Sequence, residues 1–124
     1  MLAIEIQDLT HRYGQRTALD AVNFSVEAGR FCALLGLNGA GKSTLFSLVT
    51  GLFSARHGCI LIAGHDMAAE PRKALASMGV VFQSPSLDTD LSVLQNMKYY
   101  AALHGLSGRS AQTAIESALD RLGM

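Results

Sequence analysis

Hydrophobic and polar positions follow two different periods along this chain. Leu2, Ile4 and Ile6 alternate with other positions until the pattern breaks at Asp8-Leu9, which points to a strand. Further on the alternation is clearer. Val22, Phe24 and Val26 fall on one face and Asn23, Ser25 and Glu27 on the other, the pattern of a half-exposed antiparallel strand. Gly14 marks the turn between these two strands and Ala28-Gly29 the next turn. Phe31-Cys32-Ala33-Leu34-Leu35 is apolar throughout, which predicts a strand covered on both faces.

A glycine-rich loop follows, and the period then becomes helical. Leu45, Leu48, Val49 and Leu52 recur at helical spacing over 42–52. Residues 58–64 predict a short strand bounded by glycines, and Pro71 opens a short helix ending near Ser77. Gly79-Val80-Val81-Phe82-Gln83 predicts another buried strand. Ser92-Val93-Leu94-Gln95 has the form of a capping box at the start of a helix reaching about His104. Leu106-Ser107-Gly108 interrupts it. From Ser110 onward Ala111, Ala114, Ile115, Ala118, Leu119 and Leu122 make an amphipathic stripe. The arrangement is an α/β core preceded by a small antiparallel β portion, with no internal repeat or interdomain linker.

Composition narrows the class. The chain has 124 residues, which suits one domain at most. Ten basic and ten acidic residues give a formal net charge of zero, which argues against a dedicated nucleic-acid partner. Charged residues are 16% of the chain against roughly 25% in an average domain, and 49% are hydrophobic, so part of the surface should meet something other than water. Cys32 and Cys59 lie apart in apolar runs and are expected as buried small hydrophobes in a reducing compartment. The N-terminus lacks a signal-peptide pattern, and no apolar run approaches the roughly 18–20 residues that span a bilayer. A soluble, cytosolic chain able to dock on something in a membrane is expected.

Gly36-Leu37-Asn38-Gly39-Ala40-Gly41-Lys42-Ser43 matches the phosphate-binding pattern G-x-x-x-x-G-K-[ST] in full, between an apolar run and an amphipathic helix. Glycines there let the backbone approach phosphate oxygens, and successive N–H groups at a helix N-terminus make an anion-binding nest. Lys42 should reach the β- and γ-phosphates, and Ser43 should offer its hydroxyl to Mg²⁺. Thr44 is placed to add a contact to the α-phosphate. The loop serves many nucleotide-binding families, but three further features narrow the field. Two antiparallel strands precede it. Tyr13, in their turn, either stacks on an adenine ring or packs on the β portion's own core. Gln83 ends an apolar strand, where α/β ligands bind, and its amide can hold a metal-bound water; an ordinary exposed strand end is the other reading.

With these residues in view, the chain resembles the N-terminal part of the nucleotide-binding domain of an ATP-binding cassette (ABC) transporter. Tyr13 matches the family's adenine-stacking aromatic. Gly36, Asn38, Gly39, Ala40, Gly41, Lys42, Ser43 and Thr44 fall on its Walker A loop, and Gln83 on its Q-loop glutamine. Residues 85–93 resemble the segment after the Q-loop in exporter-type members. The resemblance implies an α/β P-loop NTPase core, incomplete relative to the full domain. It divides into an antiparallel β portion over 1–30, a P-loop strand and helix over 31–53, a strand, short helix and Q-loop strand over 58–83, and the start of a helical subdomain over 84–124. It implies ATP and Mg²⁺ as ligands, with Lys42 and Gln83 in catalytic roles and Ser43 and Gln83 on the metal. It further implies a second nucleotide-binding domain, identical or not, as head-to-tail partner. A transmembrane permease subunit would hold the protein on the cytoplasmic face of the membrane. Gln83 and the segment to about Tyr100 would sense nucleotide and touch that subunit. For Tyr99 and Tyr100, this contact and core packing both stay open.

The family's LSGGQ signature, Walker B aspartate, catalytic glutamate and switch histidine do not occur in these residues. Leu106-Ser107-Gly108-Arg109 lacks the second glycine of a signature and is read as an interhelix turn. Asp88 and Asp90 are read as turn and helix-entry residues. His11, His57, His65 and His104 have no metal spacing and are read as surface or packing residues. The leading expectation is the ATP-binding subunit of an ABC transporter. A cassette ATPase that moves no solute and a non-catalytic nucleotide-binding fragment are the alternatives. Residues 1–124 alone should turn over ATP near background and should be poorly soluble or melt without a sharp transition; robust turnover, or a sharp reversible melt, would contradict that expectation.

Overall fold

The computed structural model describes residues 1–37, 39–82 and 86–124. They form two compact units, Met1–Gly79 and Val80–Met124. The first is built on a four-stranded antiparallel sheet. Its strands are β1 (Leu2–Tyr13), β2 (Arg16–Glu27), β3 (His57–Ile62) and β4 (His65–Asp66), in spatial order β2-β1-β3-β4. The β1–β2 hairpin turns at Gly14, and Ile6 pairs with Phe24 on one side and Ile60 on the other.

The break in alternation near residue 8 is a bulge. Asp8 and Ala21 both have positive φ, 47° and 44°. The Asp8 N–H donates to Asn23 Oδ1 (2.9 Å), and Asn23 Nδ2 donates to Asp8 Oδ1 and the Ala21 carbonyl (both 3.0 Å). The Ala21 N–H donates to Thr10 Oγ1 at 2.9 Å. Side chains thus take over the backbone groups that the irregular ladder releases. β3 enters against this bulge through Gly58, at φ 93°, where a Cβ would lie 2.5 Å from the Asp8 carbonyl oxygen and 2.6 Å from that of Gln7. Only glycine fits there.

Helices α1 (Lys42–Val49) and α2 (Pro71–Ala76) contribute to the core of this unit. Leu45 and Leu48 of α1 and Ala74 of α2 are buried with Ile6, Leu9, Leu19, Ile60 and Ile62. A helix of eight residues is marginal alone in water. Burial of Leu45 and Leu48, at about 1.5–3 kcal/mol each, holds α1 on the sheet. Pro71 occupies the first turn of α2, as its missing N–H allows. Glu70 before it accepts from His65 (3.2 Å) and from Lys73 (3.0 Å), which lowers its carboxyl below the usual range, the Lys73 bond contributing most.

The second unit is a helix pair, α3 (Val93–Leu103) and α4 (Gly108–Arg121), closed by Ala101, Ala111 and Ile115. The capping box is present. The Gln95 N–H donates to Ser92 Oγ (3.1 Å) and the Ser92 N–H to Gln95 Oε1 (2.9 Å). Buried Asn96 orders the preceding turn, accepting from the Asp88 N–H (3.0 Å) and donating to the carbonyls of Asp88 (3.0 Å) and Ser92 (2.9 Å). The Asp88 carboxylate accepts the Asp90 N–H at 2.9 Å, the turn role its position suggested. Tyr100 donates its hydroxyl to the Ser86 carbonyl, and Tyr99 packs edge-on against Tyr100.

Several expectations are corrected. Residues 31–35 and 80–82 form no strand; Phe31 is 95% and Val81 92% exposed. A two-sided apolar strand needs a ladder partner and covered faces. Among the described residues neither segment has one. Cys32 is exposed, and Cys59 on β3 is only half-buried, its thiol pushed up by burial and by the carboxylates of Asp66 and Glu5. α1 stops at Val49 because Thr50 and Gly51 leave the helix, so Leu52 is exposed. Replacing Gly58 by Ala should cost about 2–4 kcal/mol, from the left-handed backbone and the carbonyl collisions together. Urea unfolding of the full-length protein measures it, and an unchanged midpoint would contradict the packing at the bulge.

Candidate functional site

The N-terminus of α1 is fixed by a close backbone approach. Gly41, the residue before the helix, has φ 98°. A Cβ there would lie 2.6 Å from the Ala18 carbonyl oxygen and 2.9 Å from Leu19 Cδ2. The start of α1 therefore lies against β2 as only glycine allows. Ahead of it the Ala40 N–H donates to the Leu37 carbonyl at 3.1 Å, and the Leu45 N–H donates to the Gly41 carbonyl at 2.9 Å. The N–H groups of Lys42, Ser43 and Thr44 precede that first helical bond and have no acceptor inside the helix.

These groups border a recess of about 190 Å³ lined by Arg16, Gly39, Gly41, Lys42, Ser43 and Thr44. Its chemistry suits a polyanion. The helix N-terminus contributes partial positive charge, and two cationic side chains stand beside it. The Lys42 ammonium donates to the Gly36 carbonyl, which folds it back along the loop. The Arg16 guanidinium lies over Gly39, where a Cβ would be 3.8 Å from Nη2. No carboxylate lines the recess among the described residues.

Arg16 is the residue that sequence reasoning missed. It opens β2, far from the loop in sequence, and the approach of Gly41 to Ala18 of the same strand brings it to the recess. Its one signal was a lone cation just beyond the Gly14 turn.

Tyr13 is half-exposed, and its hydroxyl shares a 3.1 Å hydrogen bond with Thr44 Oγ1. The ring meets His11 (centroids 4.8 Å apart, 76° between planes) and Phe53 (6.5 Å, 77°) edge to face. It thus joins the phosphate-loop helix by its tip while packing on aromatic neighbours by its sides. Thr44 is itself buried. Gly36, Gly39, Ala40, Gly41, Lys42, Ser43, Thr44 and Tyr13 lie in one unit. Asn38 and Gln83, both expected at the site, lie outside the described residues. Among the described residues no cluster of His, Cys, Asp and Glu could hold a metal, and no helix is long and apolar enough to cross a membrane.

Comparison with known proteins places this geometry. The ABC transporter family model matches residues 19–124. The chain is 37% identical over 121 residues to the probable multidrug ABC transporter ATP-binding protein YbhF of Escherichia coli K12, covering 98% of this chain and 21% of that one. It is 36% identical to the lantibiotic transport ATP-binding protein SrtF of Streptococcus pyogenes, covering 98% and 50%. Among solved structures, cbiO1 of Clostridium perfringens, part of the ABC transporter complex cbiONQ, superposes with a TM-score of 0.78 at 29% identity, covering 99% of this chain and 51% of that one. An ATP-binding subunit of another ABC transporter also reaches 0.78, at 34% identity, covering 85% and 44%. The chain thus spans about half or less of the length of these relatives. Their likeness supports the α/β P-loop NTPase class, of which this chain is a part. The chain belongs to the ABC transporter family, within its ATP-binding, nucleotide-binding domain.

Proposed function

We propose that residues 1–124 bind ATP as part of the ATP-binding subunit of an ABC transporter, which couples ATP hydrolysis to movement of a solute across a membrane. The observation that carries this reading is the recess at the start of α1, where orphan N–H groups, Lys42 and Arg16 converge with no opposing carboxylate among the described residues. A triphosphate tail would lie there, with Lys42 turning from the Gly36 carbonyl to the β- and γ-phosphates. Arg16 would meet the tail from the hairpin side, and Tyr13 would present its ring to the base.

Mg²⁺ fits the donor set. A hard cation that keeps several waters needs few protein oxygens beside the phosphates, and Ser43 lines the recess with a hydroxyl. When bound, the ion would neutralise charge on the phosphates during their transfer. Gln83 is the second residue assigned to it, on the strength of the family's Q-loop.

The same reading implies two partners, a second nucleotide-binding domain, identical or different, and a transmembrane permease subunit. The protein would then sit on the cytoplasmic face of the membrane, with no nucleic acid involved. The cbiO1 relative belongs to a transporter complex, which supports the permease.

In the full-length protein, Lys42→Ala should weaken MgATP binding by about ten- to a hundredfold, the loss of one or two charge-assisted hydrogen bonds. Arg16→Ala should weaken it less. Calorimetric titration reads both, and an unchanged affinity in Lys42→Ala would overturn the assignment.

A further inference from the structure

The hydrogen bond to Thr44 fixes the tip of Tyr13 but leaves its plane undetermined. The phenolic oxygen lies on the very axis about which the ring turns, so a bond to that atom leaves rotation about the axis free. A stacking surface, however, is defined by its plane.

Two other rings set that plane. His11 and Phe53 lie nearly parallel to each other, 7° between planes and 5.9 Å between centroids. Tyr13 stands at 76° to His11 and 77° to Phe53. The two form a wall of a single orientation, and turning the Tyr13 ring spoils both edge-to-face contacts at once. The wall is assembled from distant stretches of chain. His11 comes from β1, and Phe53 from the loop after α1. The helix that offers its N-terminus to the phosphate recess therefore also leads, from its other end, to a ring that orients Tyr13.

We propose that His11 and Phe53 are positioning residues for the nucleotide base, acting through the plane of Tyr13. The inference rests on the reading of Tyr13 as the base platform. Binding of a base-bearing triphosphate then depends on the wall, and binding of the phosphate tail alone does not. His11 acts as a flat ring here, so phenylalanine should replace it.

The test measures, on the full-length protein with Mg²⁺, affinities for ATP and for inorganic tripolyphosphate. His11→Ala and Phe53→Ala should each weaken ATP binding about two- to tenfold, the range expected from aromatic-pair contacts, with tripolyphosphate binding unchanged. His11→Phe should restore ATP binding. Equal losses for both ligands would show a general structural role and overturn the proposal. Unchanged ATP binding in both alanine variants, while Tyr13→Ala still weakens it, would overturn the wall and leave the platform standing. If Tyr13→Ala itself leaves ATP binding unchanged, the platform fails and the proposal with it.

Discussion

The approach of Gly41 to the carbonyl of Ala18 is the contact on which the candidate site depends. Any side chain at residue 41 would push the loop off β2. With it would go the direction of α1, whose first amides form one side of the recess, and the distance from those amides to Arg16 on the hairpin. One backbone-to-backbone contact thus places a helix terminus, a lysine and an arginine around the same small volume. It also sets the start of α1 against the strand whose hairpin partner carries Tyr13, so that the Tyr13 hydroxyl meets Thr44.

That contact is supported by the sheet beneath. β1 is one of the two inner strands; Asn23 holds its bulge at Asp8, and Thr10 holds the facing irregularity at Ala21. Gly58 lets β3 close against the bulge, and Ile60 and Ile62 then complete the floor on which Leu45 and Leu48 of α1 rest. Packing of the helix and position of the recess are therefore consequences of one arrangement. Two glycines in different elements, 41 and 58, each permit an approach that no other residue would.

Much of this was legible in the sequence where a local rule suffices. The alternation over β2, the capping box at Ser92 and Gln95, Pro71 in the first turn of α2 and the full G-x-x-x-x-G-K-S pattern each carry their own short-range chemistry. The break near residue 8 was visible, though its cause, a pair of bulges facing each other across a hairpin, was not. Features that depend on long-range contact stayed hidden. Arg16 acquires a meaning only through the contact of its strand with the start of α1, and buried Asn96 only through the carbonyls it collects. β4 is two residues long and leaves no period. The apolar runs at 31–35 and 79–83 predicted strands because an unbroken apolar run speaks to side-chain burial, whereas strand formation, which residues 31–35 and 80–82 lack, also requires a partner backbone. At the site, the phosphate loop was read residue by residue, while the wall of His11 and Phe53 beside Tyr13 joins stretches some forty residues apart that no motif connects.

The most direct measurement is the ATP affinity of Gly41→Ala in the full-length protein, with far-UV circular dichroism to follow secondary structure. If the recess exists because the loop lies against β2, the added methyl should reduce affinity by more than about tenfold, with the helical signal retained. Wild-type affinity in that variant would show that the nucleotide is held by something other than the start of α1.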